Sequence, residues 1–103
     1  MAYATLDQVK RWLNIPSDDT TDDAELTELL ESVDAEIQAI LSKYTGSPPE
    51  SDSVIARYEA IWVAGLYRMQ YEKINDIHPW VKHAREKLEE YLTAKYRGGF
   101  QAA

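Results

Sequence analysis

The spacing of apolar residues along the chain predicts a short helix followed by a long amphipathic one. In the second helix, apolar residues recur at steps of three and four from Leu26 to Tyr44, and they form one stripe on a helical wheel. The first helix places Leu6, Val9 and Leu13 on one face. Each of these helices is therefore expected to pack one side against a core.

The third and fourth helices differ in how much of their surface is apolar. The third is predicted to run to about Lys73, and its centre, residues 60–67, is apolar nearly all the way round. A helix of this kind is buried on most sides. Because the rest of a small chain covers little of it, we expect part of this helix to face another subunit, with Gly65 admitting a neighbour's backbone. The fourth helix is predicted from Pro79, with its apolar stripe in residues 81–92.

The helix boundaries are marked by residues that favour helix ends. Hydroxyl side chains are expected to cap the starts of the first three helices: Thr5, then Thr20 or Thr21, then Ser51 or Ser53. Gln8 lies three residues after the first of these and completes a capping-box pattern. Pro16 ends the first helix, and Gly46 follows the second as a stop.

Together these elements predict an all-α fold, a small four-helix bundle. It consists of a short N-terminal helix, two long amphipathic or apolar helices and a C-terminal helix. A chain of 103 residues is long enough for one modest core. We expect a single helical domain over residues 1–103, in which residues 97–103 form a flexible tail around the Gly98-Gly99 pair.

The net charge of −7 lies entirely in the first half of the sequence. Residues 1–44 contain three basic and ten acidic side chains, whereas residues 45–103 contain eight of each. Such a surface repels phosphate backbones and anionic lipids. Two interpretations remain open, a solvated helix face that maintains solubility and an acidic patch for a specific partner.

No stretch of the sequence predicts a membrane partner. The longest apolar stretch, residues 60–67, is far shorter than the roughly 20 residues that a membrane span needs. The N-terminus lacks the basic and apolar regions of a secretory signal. We therefore expect a protein made in a cytoplasm.

No motif predicts catalysis, a metal ion or another cofactor. The sequence contains no cysteine, which excludes thiolate zinc sites and cysteine nucleophiles. His78 and His83 are five residues apart, so they would lie on different faces of one helix and not bind one metal together. The acidic run 18–23 lacks the glycine and glutamate of a calcium-binding loop. We expect a protein that is not an enzyme.

Aromatic residues are abundant, with three Trp and seven Tyr. Such side chains are enriched at protein interfaces but also anchor cores. Both roles remain open for Trp12, Trp62 and Trp80. Aromatic residues interleaved with Arg57, Arg68 and Arg85 are typical of nucleic-acid platforms, but the negative net charge argues against that partner.

Several segments of the sequence together have a familiar pattern. They are YATLDQVKRWL at 3–13, DDAELTELL at 22–30, VDAEI at 33–37, IARY at 55–58 and LYR at 66–68. These segments resemble the head–tail connector (adaptor or neck) family of tailed bacteriophages and proviruses. The likeness extends over nearly the whole chain.

The resemblance implies a non-catalytic structural protein of the virion. Members of this family are small helical bundles that assemble into a ring, a closed oligomer in which each copy uses two different surfaces. The ring joins the portal protein at the phage head to the next neck or tail-completion protein, and DNA only passes through its channel. Such a protein is located at the head–tail junction, and in the host cytoplasm, as a free monomer, before assembly. The alternative is a small cytoplasmic regulator or adaptor that binds a protein partner through its third helix.

A ring of this kind needs two complementary surfaces on each subunit. The acidic second helix and basic side chains elsewhere in the chain are candidates for these surfaces. The resemblance adds a contact between the C-terminal segment and the portal, with Phe100 as the anchor. The candidate interface residues are Glu28, Glu31, Arg57, Arg68, Arg85, Lys95, Arg97 and Phe100.

Overall fold

A computed structural model of the chain describes residues 2–72 and 76–98. In these two ranges the ordered elements are all helical, which confirms the all-α prediction. They are α1 (Leu6–Leu13), α2 (Asp23–Leu41), α3 (Ser53–Glu72), α4 (Pro79–Thr93) and a π-helical turn, Ala94–Gly98. None of the helices in the described ranges is long and apolar enough to cross a membrane.

The centre of α3 is covered within a single chain. This helix packs against α1, α2 and α4. None of residues 60–64 is more than 5% exposed, and Gly65 is also buried. The expectation that the centre of α3 faces another subunit is therefore wrong for residues 60–65. Three helices suffice because they surround α3 from different sides.

Gly65 does admit a close neighbour, but the neighbour belongs to the same chain. A Cβ atom placed on Gly65 would lie 2.8 Å from Val81 Cγ2 and 3.1 Å from Trp80 Cβ. Both residues lie in the first turn of α4. The absence of a side chain at Gly65 thus sets how closely α3 and α4 approach each other.

The start of α1 follows the sequence pattern. Thr5 Oγ1 accepts a hydrogen bond from the Gln8 amide, and Gln8 Oε1 accepts one from the Thr5 amide, which confirms the capping box. The helix ends at Asn14, whose φ of 58° is left-handed. Asparagine tolerates this conformation better than most side chains.

Aspartates, and not hydroxyl residues, precede α2 and α3. The N-cap of α2 is Asp22, so the prediction of Thr20 or Thr21 is wrong. At α3, Asp52 Oδ1 accepts hydrogen bonds from the amides of Val54 and Ile55, so the prediction of Ser51 or Ser53 is also wrong. A carboxylate carries a full negative charge, which suits the positive end of a helix better than a hydroxyl does.

The C-terminal helix begins with a histidine and ends in a wider turn. His78 caps α4 by accepting a hydrogen bond at Nδ1 from the Trp80 amide. After Thr93 the chain continues into the π-helical turn, which includes Arg97 and Gly98 of the expected tail. The rest of that tail, residues 99–103, lies outside the described residues.

Candidate functional site

The two predicted acidic interface residues lie on the solvent-facing side of α2. Glu28 and Glu31 are exposed, whereas Leu30, Val33 and Ile37 on the other side of the helix are buried. Within the described ranges, neither glutamate forms a salt bridge. This side of α2 therefore presents two carboxylates that form no salt bridge with a described residue.

Arg68 and Arg85 are exposed but already contact side chains of their own chain. Arg68 Nε lies 2.7 Å from Glu72 Oε2, and its guanidinium lies 5.0 Å from the centre of the Trp80 ring. The Arg85 guanidinium lies 5.6 Å from the centre of the Trp62 ring. Such contacts hold an arginine over an aromatic face.

Lys95 and Arg97 also contact residues of their own chain. Lys95 Nζ lies 2.8 Å from Asp52 Oδ2, which also accepts a hydrogen bond from the Tyr91 hydroxyl. Arg97 donates a hydrogen bond to the Lys43 carbonyl and lies over a tyrosine ring. These bonds fasten the end of α4 to the start of α3 and the end of α2. Phe100, the last predicted interface residue, lies outside the described residues.

This arrangement shifts the pKa values of Asp52 and Lys95. Burial raises the pKa of Asp52, but the hydrogen bonds from Lys95, Tyr91 and two backbone amides outweigh it, so the pKa is lowered overall. The bond to Asp52 in turn raises the pKa of Lys95. Both groups are therefore charged at neutral pH, and the pair functions as a structural link.

Arg57, another predicted basic residue, borders an open groove. The groove has a volume of about 390 Å³ and lies between α1 and α3. Arg11 and Arg57 contribute two positive charges to it, and Trp12 contributes an aromatic surface. Its remaining lining residues are uncharged: Gln8, Ser53, Val54 and Ala60. Neither arginine forms a salt bridge with any residue that the structure describes.

Trp12 is the most prominent aromatic side chain on this surface. It is 42% exposed, and its ring meets the edge of Trp80 at a centroid distance of 5.9 Å. On its other side lies a second groove of about 580 Å³, which Tyr67 and Arg68 help to line. Exposed tryptophan flanked by arginine is typical of residues that dominate the binding energy of interfaces.

The three tryptophans thus divide between core and surface. Trp62 is buried in the core, Trp80 is half-buried and Trp12 is exposed. The sequence held a usable signal for this, because position 12 lies off the stripe of Leu6 and Val9 on the helical wheel. Arg11 was not among the predicted interface residues, although the same wheel places position 11 opposite this stripe.

A second feature that sequence reasoning missed is a buried glutamate beside a partly buried aspartate. Glu59 in α3 is fully buried, and its Oε1 accepts a hydrogen bond of 2.7 Å from the Ala4 amide. Burial, together with nearby Asp34, raises the pKa of Glu59 to about 8. The protonated form is thus favoured, and Glu59 holds the segment before α1 against the core.

Among the described residues, no three His, Cys, Asp or Glu side chains cluster closely enough to hold a metal ion. The structure instead presents two exposed surfaces that a partner could contact. An arginine-bordered groove with an exposed tryptophan lies on α1 and α3, and unpaired carboxylates lie on α2.

Comparison with known proteins identifies one family. A family model described as phage gp6-like head-tail connector protein matches residues 3–77. This range includes α1, α2 and α3, and with them Trp12, Glu28 and Arg57. No curated protein and no solved structure gives a significant match.

Proposed function

Since the chain belongs to the phage gp6-like head–tail connector family, we propose that its copies close into a ring that joins the portal to the tail. The ring contacts the portal protein on one side and the next neck or tail-completion protein on the other. The protein acts by assembly and not by catalysis. Its place in the virion is the head–tail junction.

The family match carries this proposal, because it extends over residues 3–77 and so includes three of the four α-helices. The surface of the chain is compatible with it. Closed rings require two different, complementary surfaces on each subunit. The carboxylates of α2 and the arginines of the groove have opposite charges and lie on different elements.

The charge of the chain also suits a channel through which DNA moves. The net charge is −7. Protein affinity for DNA depends mainly on cationic contacts with phosphate. A ring of acidic subunits therefore lets the duplex pass without holding it.

For the alternative, a regulator that binds a partner through its third helix, the apolar centre of that helix is not an available surface. This centre, residues 60–65, is buried in the chain's own core. A partner would have to displace α1, α2 or α4 to reach it. No other observation favours this class of function.

The proposal can be tested in a phage that carries this gene, by interrupting the gene with an early stop codon. We expect full heads that lack tails, because the portal has no platform for the next neck protein. Electron microscopy of the lysate counts the tailed and tailless particles. Expression of the intact chain from a plasmid should restore tailed particles.

The same experiment can contradict the proposal. Tailed, infectious particles in normal numbers would show that the chain is not needed to join head and tail. Empty heads without packaged DNA would assign it to an earlier step, in which the portal or the capsid is built.

A further inference from the structure

Two pairs of charged residues, none of which forms a salt bridge with a residue that the structure describes, lie on different elements of the same chain. Arg11 and Arg57 border the groove between α1 and α3, where no carboxylate contributes to the lining. Glu28 and Glu31 lie on the exposed side of α2, which contributes no residue to that groove. One chain can therefore present both surfaces at once.

Three of the four other predicted basic residues are less available for a contact between copies. Arg68 is paired with Glu72, Lys95 with the largely buried Asp52, and Arg97 is bonded to the Lys43 carbonyl. Using them between subunits would first require these bonds to be broken. Arg11 and Arg57 carry no such cost, since neither forms a salt bridge within the described ranges.

We propose that the groove between α1 and α3 of one copy receives the exposed face of α2 of the next copy. Glu28 and Glu31 are three residues apart, so their side chains are neighbours on the helix surface. They pair with Arg11 and Arg57, and Trp12 packs against the helix between them. The inference rests on the proposed function, because a ring is the assembly that needs such a contact.

This occupant is favoured by charge and by symmetry. A groove bordered by two cations attracts an acidic surface, and the exposed side of α2 is acidic. A contact between a groove and a helix on separate elements is heterologous, which is the kind that generates rings. Trp12 supplies the large apolar area that central interface residues typically bury.

Charge reversal tests this pairing directly. One variant carries Arg11→Glu with Arg57→Glu, and a second carries Glu28→Lys with Glu31→Lys. Each variant alone should lose at least tenfold in the amount of ring formed on purified portal particles, because its two surfaces now carry the same charge. Negative-stain electron microscopy and sedimentation measure the ring.

An equal mixture of the two variants should assemble again. In that mixture the acidic α2 of the first variant meets the unchanged groove of the second, and the lysines of the second meet the reversed groove of the first. Restored assembly in the mixture also shows that both variants are folded.

A matched control is available on α4. Glu86 and Glu89 have the same spacing as the α2 pair and are also exposed. Glu86→Lys with Glu89→Lys makes the same change in net charge, so we expect this variant to assemble like the unchanged protein. Loss of assembly in this control would attribute the effect to net charge and overturn the proposed pairing.

Other outcomes separate this inference from the proposed function. If the unchanged protein forms rings and both charge-reversed variants form them equally well, the pairing is wrong and the ring remains. If the variants form normal rings but no longer bind the next neck protein, the groove serves that partner and the pairing is again wrong. If the unchanged protein forms no ring on the portal, the proposed function fails together with the pairing.

Discussion

At the scale of single residues, two buried polar side chains hold the N-terminal part of the chain in place. Lys10 is buried, and its Nζ lies 2.6 Å from Asp23 Oδ1 and 2.8 Å from the Asp19 carbonyl. Glu59 binds the Ala4 amide from inside the core. Together these two residues tie α1 and the segment before it to α2 and α3.

Glu59 should make stability depend on pH. Its pKa of about 8 in the fold is above the ordinary 4.5, so the folded chain binds a proton that the unfolded chain has lost between these values. The free energy of unfolding should therefore decrease as pH rises from about 4.5 through about 8, by up to about 1.4 kcal/mol per pH unit. Glu59→Gln does not titrate and should flatten this decrease, as urea unfolding between pH 6 and 8.5 would measure.

The exposed Glu28 provides the control for this measurement. Glu28→Gln should leave the dependence of stability on pH as it is in the unchanged protein, because Glu28 is exposed and unpaired within the described ranges. An equal slope for Glu59→Gln and the unchanged chain would show that the buried carboxyl is not protonated at neutral pH.

The sequence could predict local residue roles but not these buried charges. The bond between Thr5 and Gln8 depends on residues three apart, so the pattern alone reveals it. The bond from Ala4 to Glu59 joins positions 55 residues apart. Nothing in the sequence distinguishes Glu59 and Lys10 from the acidic residues and lysines that are exposed in most proteins.

At the scale of elements, the contact between α3 and α4 depends on Gly65. Replacement by alanine would favour the helix by about 1 kcal/mol through its propensity. The new Cβ would lie 2.8 Å from Val81 Cγ2 and 3.1 Å from the Val81 amide nitrogen, so α4 would have to move. We expect Gly65→Ala to lower the free energy of unfolding by about 1–3 kcal/mol.

Denaturant unfolding of two further variants checks the cause of this loss. Gly46→Ala should change stability by less than about 0.5 kcal/mol, because nothing lies within 4 Å of a Cβ there. Val81→Ala should cost less in the presence of Gly65→Ala than alone, since it removes the methyl group that clashes. Strictly additive effects would contradict the proposed contact.

Helix positions were predictable because each helix repeats its apolar residues at a helical period. The stripe from Leu26 to Leu41 is long enough to identify α2 on its own. The caps were harder, because several adjacent residues can cap and the choice depends on tertiary partners. Asp52 is selected by its bonds to Tyr91 and Lys95, which are about 40 residues away along the chain.

At the scale of the whole molecule, the fold changes which surfaces are available for assembly. The apolar centre of α3 is used up within the chain, so it does not drive contacts between copies. Trp12 and the charges on α1, α2 and α3 that form no salt bridge with a described residue remain available for the proposed contact. Glu28, Glu31 and Arg57 were predicted as interface residues from the sequence, and they remain predictions. Sequence reasoning missed the groove, because a groove exists only once α1 has packed on α3.

The most direct test of the connector role is electron microscopy of the purified chain mixed with portal particles. We predict a closed ring of additional density, built from many copies of the chain, on the side of the portal that faces the tail. Portal particles without added density, together with a chain that remains a monomer or a discrete dimer, would contradict it.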